Sequence, residues 1–238
     1  MNIKVIDSGI LSPEAIMLKD ARLLENLQHE PRPILHFYEW EGKSLTYGYF
    51  AQPEEYLNLS LLQDLDLKIA RRPTGGGIIF HLTDFAFSIL IPAGHPHYSL
   101  NCLDNYVFIN QLIARAILEL TNLSVQADLW VDEGGVKESL PNFCMVKPTR
   151  FDLVVNGKKV GGAAQRRKKW GFLHQGSVSL CLPPREILQP LIKDPVFFQA
   201  ILKGSYPLME YLPNVRNLKE ARKGMRFIIQ KTLLMNFL

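Results

Sequence analysis

Short runs rich in β-branched and aromatic residues, joined as often by tight turns as by helices, set the strongest limit on how this chain folds. "ILHFYEW" and "SLTYGYF", residues 34–40 and 44–50, flank Glu41-Gly42-Lys43 and read as a hairpin. "LKIARR" and "FAFSILI" (85–91) are two more strands, and Asn156-Gly157 is the strongest short-range hairpin signal in the chain. "FLHQGSVSLCL" follows as a further strand. Between them lie helices: 13–27, with Ser12 as N-cap and Pro13 at the first helical position, and 104–120, apolar at 108, 109, 112, 113, 116, 117 and 120. A third amphipathic pattern near the end places Leu218, Ala221, Met225, Ile228, Ile229 and Leu233 on one face. Strands and helices interleave without strict βαβ alternation. The expected fold is therefore α/β in the α+β sense: a mixed, mainly antiparallel sheet flanked by helices, not a doubly wound parallel one.

The 238 residues suffice for one core, and a single domain over 1–238 with no C-terminal accessory domain is the expectation. A net charge of +4, from 27 Lys and Arg against 23 Asp and Glu, is too mild to argue nucleic-acid binding. No basic cluster followed by an apolar segment marks a secretory signal, and no run approaches the ~18 apolar residues of a membrane span. Cys102, Cys144 and Cys181 cannot all pair and lack metal-ligand spacing, so a reducing cytoplasm suits them and no metal is expected.

"RRPTGGGIIFH", 71–81, sets Gly75, Gly76 and Gly77 between Arg71, Arg72 and His81. A P-loop would end in Gly-Lys-Ser/Thr, and a dinucleotide fingerprint would open a helix; neither happens here. A tight turn remains, or a bare backbone whose N–H groups hold a carbonyl or anion with cations beside it. A second such place is "KKVGG", where Lys159 precedes Gly161 and Gly162, with Cys144 upstream.

These stretches, with "HFYEWEGKSLTYGYF", "NGKKVGGAAQRR" and "LHQGS", resemble the lipoate/octanoate branch of the biotin and lipoate protein ligase superfamily. The likeness covers most of the first 180 residues, and the Gly-Arg-Gly-Arg stretch of biotin ligases has no counterpart. It implies a fold like that of biotin synthetases and class II tRNA synthetases. It also implies attachment of an eight-carbon acyl chain to a lysine of a lipoyl domain. Gly75 to Gly77 would line the acyl pocket, Lys159 would polarise the acyl carbonyl, and His81 would be a catalytic proton shuttle. Cys144, four residues before Pro148 and eight before Asp152, has the spacing of Cys-type octanoyltransferases and lipoyl amidotransferases, whose Cys carries the acyl group. "HLTDFAFS" has the length of the transferases' motif, although Asp84 and Phe85 replace Glu-Leu and "GGAAQ" replaces Gly-Ser-Ala-Gln.

The transferase reading needs no cofactor. It takes an acyl-carrier protein or an octanoylated lipoyl domain as donor and a lipoyl domain as acceptor. An ATP-dependent lipoate-protein ligase, using ATP and Mg and passing through lipoyl-AMP, is the alternative. A module that merely holds acylated carriers leaves Cys144 and Lys159 without a purpose. Arg166, Arg167, Lys168 and Lys169, the only dense basic run, would dock an acidic partner. No aromatic-interleaved basic stripe supports RNA.

Overall fold

The computed structural model describes residues 2–121, 128–129, 152–155, 157–212 and 215–237. Strand β1 (Lys4–Leu11) opens the chain, followed by helix α1 (Pro13–Asn26), whose Ser12 hydroxyl accepts the Ala15 N–H at 3.2 Å. Then come β2 (Ile34–Trp40), β3 (Lys43–Tyr47), β4 (Leu67–Arg71), β5 (Ile78–His81), β6 (Asp84–Pro92) and helix α2 (Cys102–Thr121). A short β7 (Asp128–Leu129) leads to β8 (Leu153–Val155), β9 (Lys158–Lys168) and β10 (Gly171–Ser179), and the chain closes with α3 (Arg185–Leu191), α4 (Pro195–Gly204) and α5 (Leu218–Asn236).

Two sheets result. The larger runs β1-β2-β6-β10-β9-β8-β7, and the smaller runs β4-β3-β5. Among the described strands only β1 with β2 and β3 with β4 are parallel, so the mainly antiparallel expectation holds. The expected hairpin over 34–50 does not form. Gly42, at φ +71°, instead carries the chain from β2 in one sheet to β3 in the other. The Asn-Gly hairpin does form: Val155 pairs with Lys158 across the turn, and Gly157 takes φ +72°. β1 escapes a sequence reading because Asp7-Ser8-Gly9 interrupts its alternation, and its pairing slips between Asp7 and Ile10.

The apolar face of α5 packs with α2 on one side of the large sheet, burying Met225, Ile229 and Leu233 with Ile109, Ile113, Phe87 and Ile89. On the other side Ile16 and Met17 of α1 meet Tyr38, Ala86 and Ala70 of β4, which joins the two sheets. A second core lies under the small sheet, where Leu45, Ile78 and Phe80 pack on Leu188, Leu191, Phe198 and Ile201. Among the described residues no helix is long and apolar enough to cross a membrane.

Candidate active site

Lys159 owes its position to a bulge. β8 and β9 pair Leu153 with Gly161 but Val154 with Lys159, so β9 carries one extra residue between them. On a regular strand Lys159 and Gly162, three apart, would face opposite sides; an extra residue returns them to the same one. The Lys159 ammonium lies 2.6 Å from Asp152 Oδ2, and both side chains are largely buried. A Cβ on Gly162 would stand 2.8–2.9 Å from Lys159 Cε, Lys159 Nζ and Asp152 Oδ1. The bare backbone at 162 therefore makes room for the ion pair itself.

The pair faces a narrow cavity of about 50 Å³. Its wall is mainly apolar or small: Ile79, Val160, Gly161, Gly162, Ala163 and Ala164. Polar groups enter from Ser177, Ser179, Asp84, Arg72 and Ser205. Among the described residues the buried Ser205 hydroxyl has no hydrogen-bond partner, and its backbone is fixed against β9, where the Tyr206 N–H donates to the Lys159 carbonyl at 2.9 Å.

The glycine run stands beside this cavity and does not form its wall. Arg72 is its brace: the guanidinium donates to the carbonyls of Gly75 (3.0 Å) and Gly77 (2.7 Å) and to Thr46 Oγ1 (2.9 Å). Gly76 takes φ +86°, a conformation that favours glycine. The close approach demanded of the loop comes from Gly48, where a Cβ would sit 1.8 Å from the Gly76 carbonyl oxygen. At Gly75 a Cβ would meet nothing within 4 Å. Arg71 is exposed and lies over the Tyr49 ring at 4.8 Å.

His81 does not line this cavity but a small neighbouring pocket that shares Arg72, Ile79 and Ser177 with it. Its Nδ1 lies 2.7 Å from Asp84 Oδ2, its Nε2 lies 2.8 Å from Thr46 Oγ1, and its ring stacks on Trp40 at 3.9 Å. With both nitrogens engaged, it positions Asp84, which does line the cavity and also accepts from Ser177 Oγ at 2.6 Å. Burial pushes the Asp84 carboxyl up, but the charge and hydrogen bond of His81, the Ser177 bond and the Arg222 charge outweigh it. The carboxyl is held below its ordinary range.

Residues 12–199 match the family described as "Lipoyl protein ligase A/B catalytic domain". The chain belongs to this family. Among its relatives, Octanoyltransferase LipM of Lysinibacillus sphaericus is 30% identical over 190 residues, 77% of this chain and 67% of that one. Its namesake in Carboxydothermus hydrogenoformans is 31% identical over 69% of this chain and 60% of its own. That of Bacillus subtilis is 29% identical over 98% and 81%. A crystal structure of lipoate-protein ligase A bound with ATP superposes with a TM-score of 0.70 at 21% identity, covering 98% of this chain and 85% of the other. These structures share the fold of the lipoyl protein ligase A/B family.

Within this family member, Cys144 lies outside the described residues. The two described cysteines make poor substitutes. Cys102 begins α2 at the surface, and burial pushes the Cys181 thiol up from its ordinary value, away from the reactive thiolate. The basic run is engaged locally. Arg166 donates to the Pro73 carbonyl at 2.9 Å, Arg167 to the Leu100 carbonyl, Lys168 pairs with Glu25, and Lys169 lies over Trp170 at 4.7 Å. Asp152 and Ser205 are the site residues that sequence reading passes over. The pairing of β8 with β9 brings Asp152 back toward Lys159, and the Asn-Gly pair in the sequence is a signal of that hairpin. Nothing in the sequence around Ser205 announces its place.

Proposed function

We propose that this chain transfers an octanoyl group from a thioester donor to the acceptor lysine of a lipoyl domain through a Cys144 acyl-enzyme. The observation that carries the reading is the Lys159–Asp152 pair at the wall of a cavity whose other lining is small and apolar. The relatives bearing the name Octanoyltransferase LipM support it. The acyl chain lies along Ile79, Val160 and the glycine-alanine strand, and its carbonyl points to the Lys159 ammonium.

The Cys144 thiolate attacks the donor carbonyl, forming a new C–S bond. Collapse of the tetrahedral adduct breaks the donor's C–S bond, and the departing thiolate takes up a proton. The acceptor amine then attacks the enzyme thioester, an amide forms, and Cys144 is released as the thiol. Exchange between thioesters is near thermoneutral and aminolysis is downhill, so no nucleotide enters. In both steps negative charge gathers on the carbonyl oxygen, where a fixed cationic donor is worth roughly 3 kcal/mol of barrier. Asp152 keeps that cation in place.

The test is transfer from octanoyl-carrier protein to a lipoyl domain with ATP absent. The expected result is an amide-linked octanoyl group, lost on Cys144→Ala and slowed at least 100-fold by Lys159→Ala. Modification seen only with free lipoate, ATP and Mg would overturn the reading and make the chain a ligase.

A further inference from the structure

The large sheet is not closed along its whole length. β2 and β6 pair at four positions, from Ile34 with Leu90 to Phe37 with Phe87, and the register ends there. Beyond that point β2 continues beside β1, with Trp40 opposite Leu11, while β6 continues beside β10, with Ala86 opposite Ser177 and Asp84 opposite Ser179. Two strand edges in the middle of a sheet thus turn toward each other without pairing. The space between them is a second cavity, with Phe37, Tyr38 and Trp40 on one side and Asp84, Phe85 and Ala86 on the other. Trp40 closes the β2 side of the cleft, and its ring is held on the far side by stacking on His81 at 3.9 Å. Strand edges that face each other without a ladder partner are the kind of edge that a strand-like ligand adds to.

Its roof is strongly cationic. Lys219, Arg222, Lys223 and Arg226 recur at i, i+3, i+4 and i+7 on α5, beside the buried apolar face, and all four line the cleft. Arg226 pairs with Asp7 at 2.7 Å, its guanidinium 4.9 Å from the Phe37 ring centroid. Arg222 Nε donates to the Asp84 carbonyl at 2.9 Å, which fixes its guanidinium over the inner end. Lys219 and Lys223 are exposed and have no carboxylate partner among the described residues. Of the two acidic residues in the lining, Asp84 is bound to His81 and Ser177, and Glu39 lies at the exposed end of β2. The positive charge that the 166–169 run spends on its own neighbours is here left facing an opening.

We infer that this cleft binds an organic phosphate ester carrying a narrow, amide-bearing tail. The phosphate sits between Lys219 and Lys223 within the field of Arg222, where ammonium groups act as point charges on phosphate. The tail enters between the open edges of β2 and β6, whose N–H and C=O groups pair with its amides as they would with an added strand. Asp84 lines both this cleft and the cavity of Lys159, so a thioester at the end of such a tail is directed toward the acyl site. The choice of this tail rests on the acyl-transfer reading; the cationic cleft does not.

Calorimetric titration of the whole chain with 4′-phosphopantetheine, pantetheine and inorganic phosphate tests the inference without any turnover. The expected result is that 4′-phosphopantetheine binds at least tenfold more tightly than pantetheine or phosphate alone. Lys219→Ala/Lys223→Ala, both at exposed positions, should weaken it at least tenfold, whereas Lys203→Ala/Lys231→Ala, which removes equal charge elsewhere, should not. Equal affinity for pantetheine and its phosphate, or unchanged binding in the Lys219/Lys223 variant, would overturn the site even if octanoyl transfer is observed. A chain that shows this binding but no transfer keeps the cleft and loses the acyl-transfer reading. Octanoyl-coenzyme A and octanoyl-carrier protein separate the two sources of the tail: the source is the one whose affinity falls tenfold in the double variant.

Discussion

Gly162 and Lys159 show how one missing methyl group can serve a catalytic cation. A side chain at 162 would press on the far end of a flexible lysine and on a carboxylate oxygen, so the backbone need not move and the lysine head would. Gly162→Ala is therefore expected to lower kcat/KM for octanoyl transfer at least tenfold while the melting temperature changes by only a few degrees. Steady-state rates and thermal unfolding measured on one preparation check this, and an unaltered rate would contradict it. The Lys-x-x-Gly spacing is visible in the sequence, but its reason is not, because the bulge that brings 159 and 162 to one side is a property of pairing with β8. The same holds for Gly75 to Gly77. Their number suggests a bare surface for substrate, yet the close approach in this loop is the one that keeps Gly48 bare, where a Cβ would strike the Gly76 carbonyl. His81 reads as a candidate proton carrier from the motif, and the fold adds that its two ring nitrogens are engaged by Asp84 and Thr46.

Elements with a strong local pattern are legible at their own scale. Helices α1, α2 and α5 follow from apolar spacing and caps, and the β8–β9 hairpin follows from Asn-Gly. The junction of β2 and β3 is not legible, since a three-residue link with a glycine serves a hairpin or a change of sheet equally well. β10 holds a charge decision of its own. His174 lies fully buried between Phe87 and Tyr106, and burial brings its pKa down from 6.5 to about 3. The folded chain thus keeps this ring neutral between those values while the unfolded chain takes up a proton. Stability falls as pH falls from about 6.5, by up to about 1.4 kcal/mol per pH unit from this group. Denaturant unfolding of the wild type and of His174→Gln at pH 7, 6, 5 and 4 is expected to show the shallower decline in the variant. Parallel curves would mean that His174 is protonated in the fold.

At the scale of the molecule, two cavities meet at Asp84, one backed by the Lys159–Asp152 pair and one roofed by the cations of α5. The apolar period of α5 is plain in the sequence, and the cationic period one step around the helix is overlooked because it is interspersed with core positions. The dense run 166–169 draws attention instead, although its side chains are held by Pro73, Leu100, Glu25 and Trp170. On the proposed reading, acyl groups arrive activated and pass through the enzyme. That claim is tested most directly by mixing the protein with octanoyl-carrier protein in the absence of ATP, quenching in acid, and weighing the intact chain. The account predicts one added octanoyl group on the wild type, removed by hydroxylamine and absent from Cys144→Ala. An unmodified wild-type chain, or an adduct that survives Cys144→Ala, would contradict it.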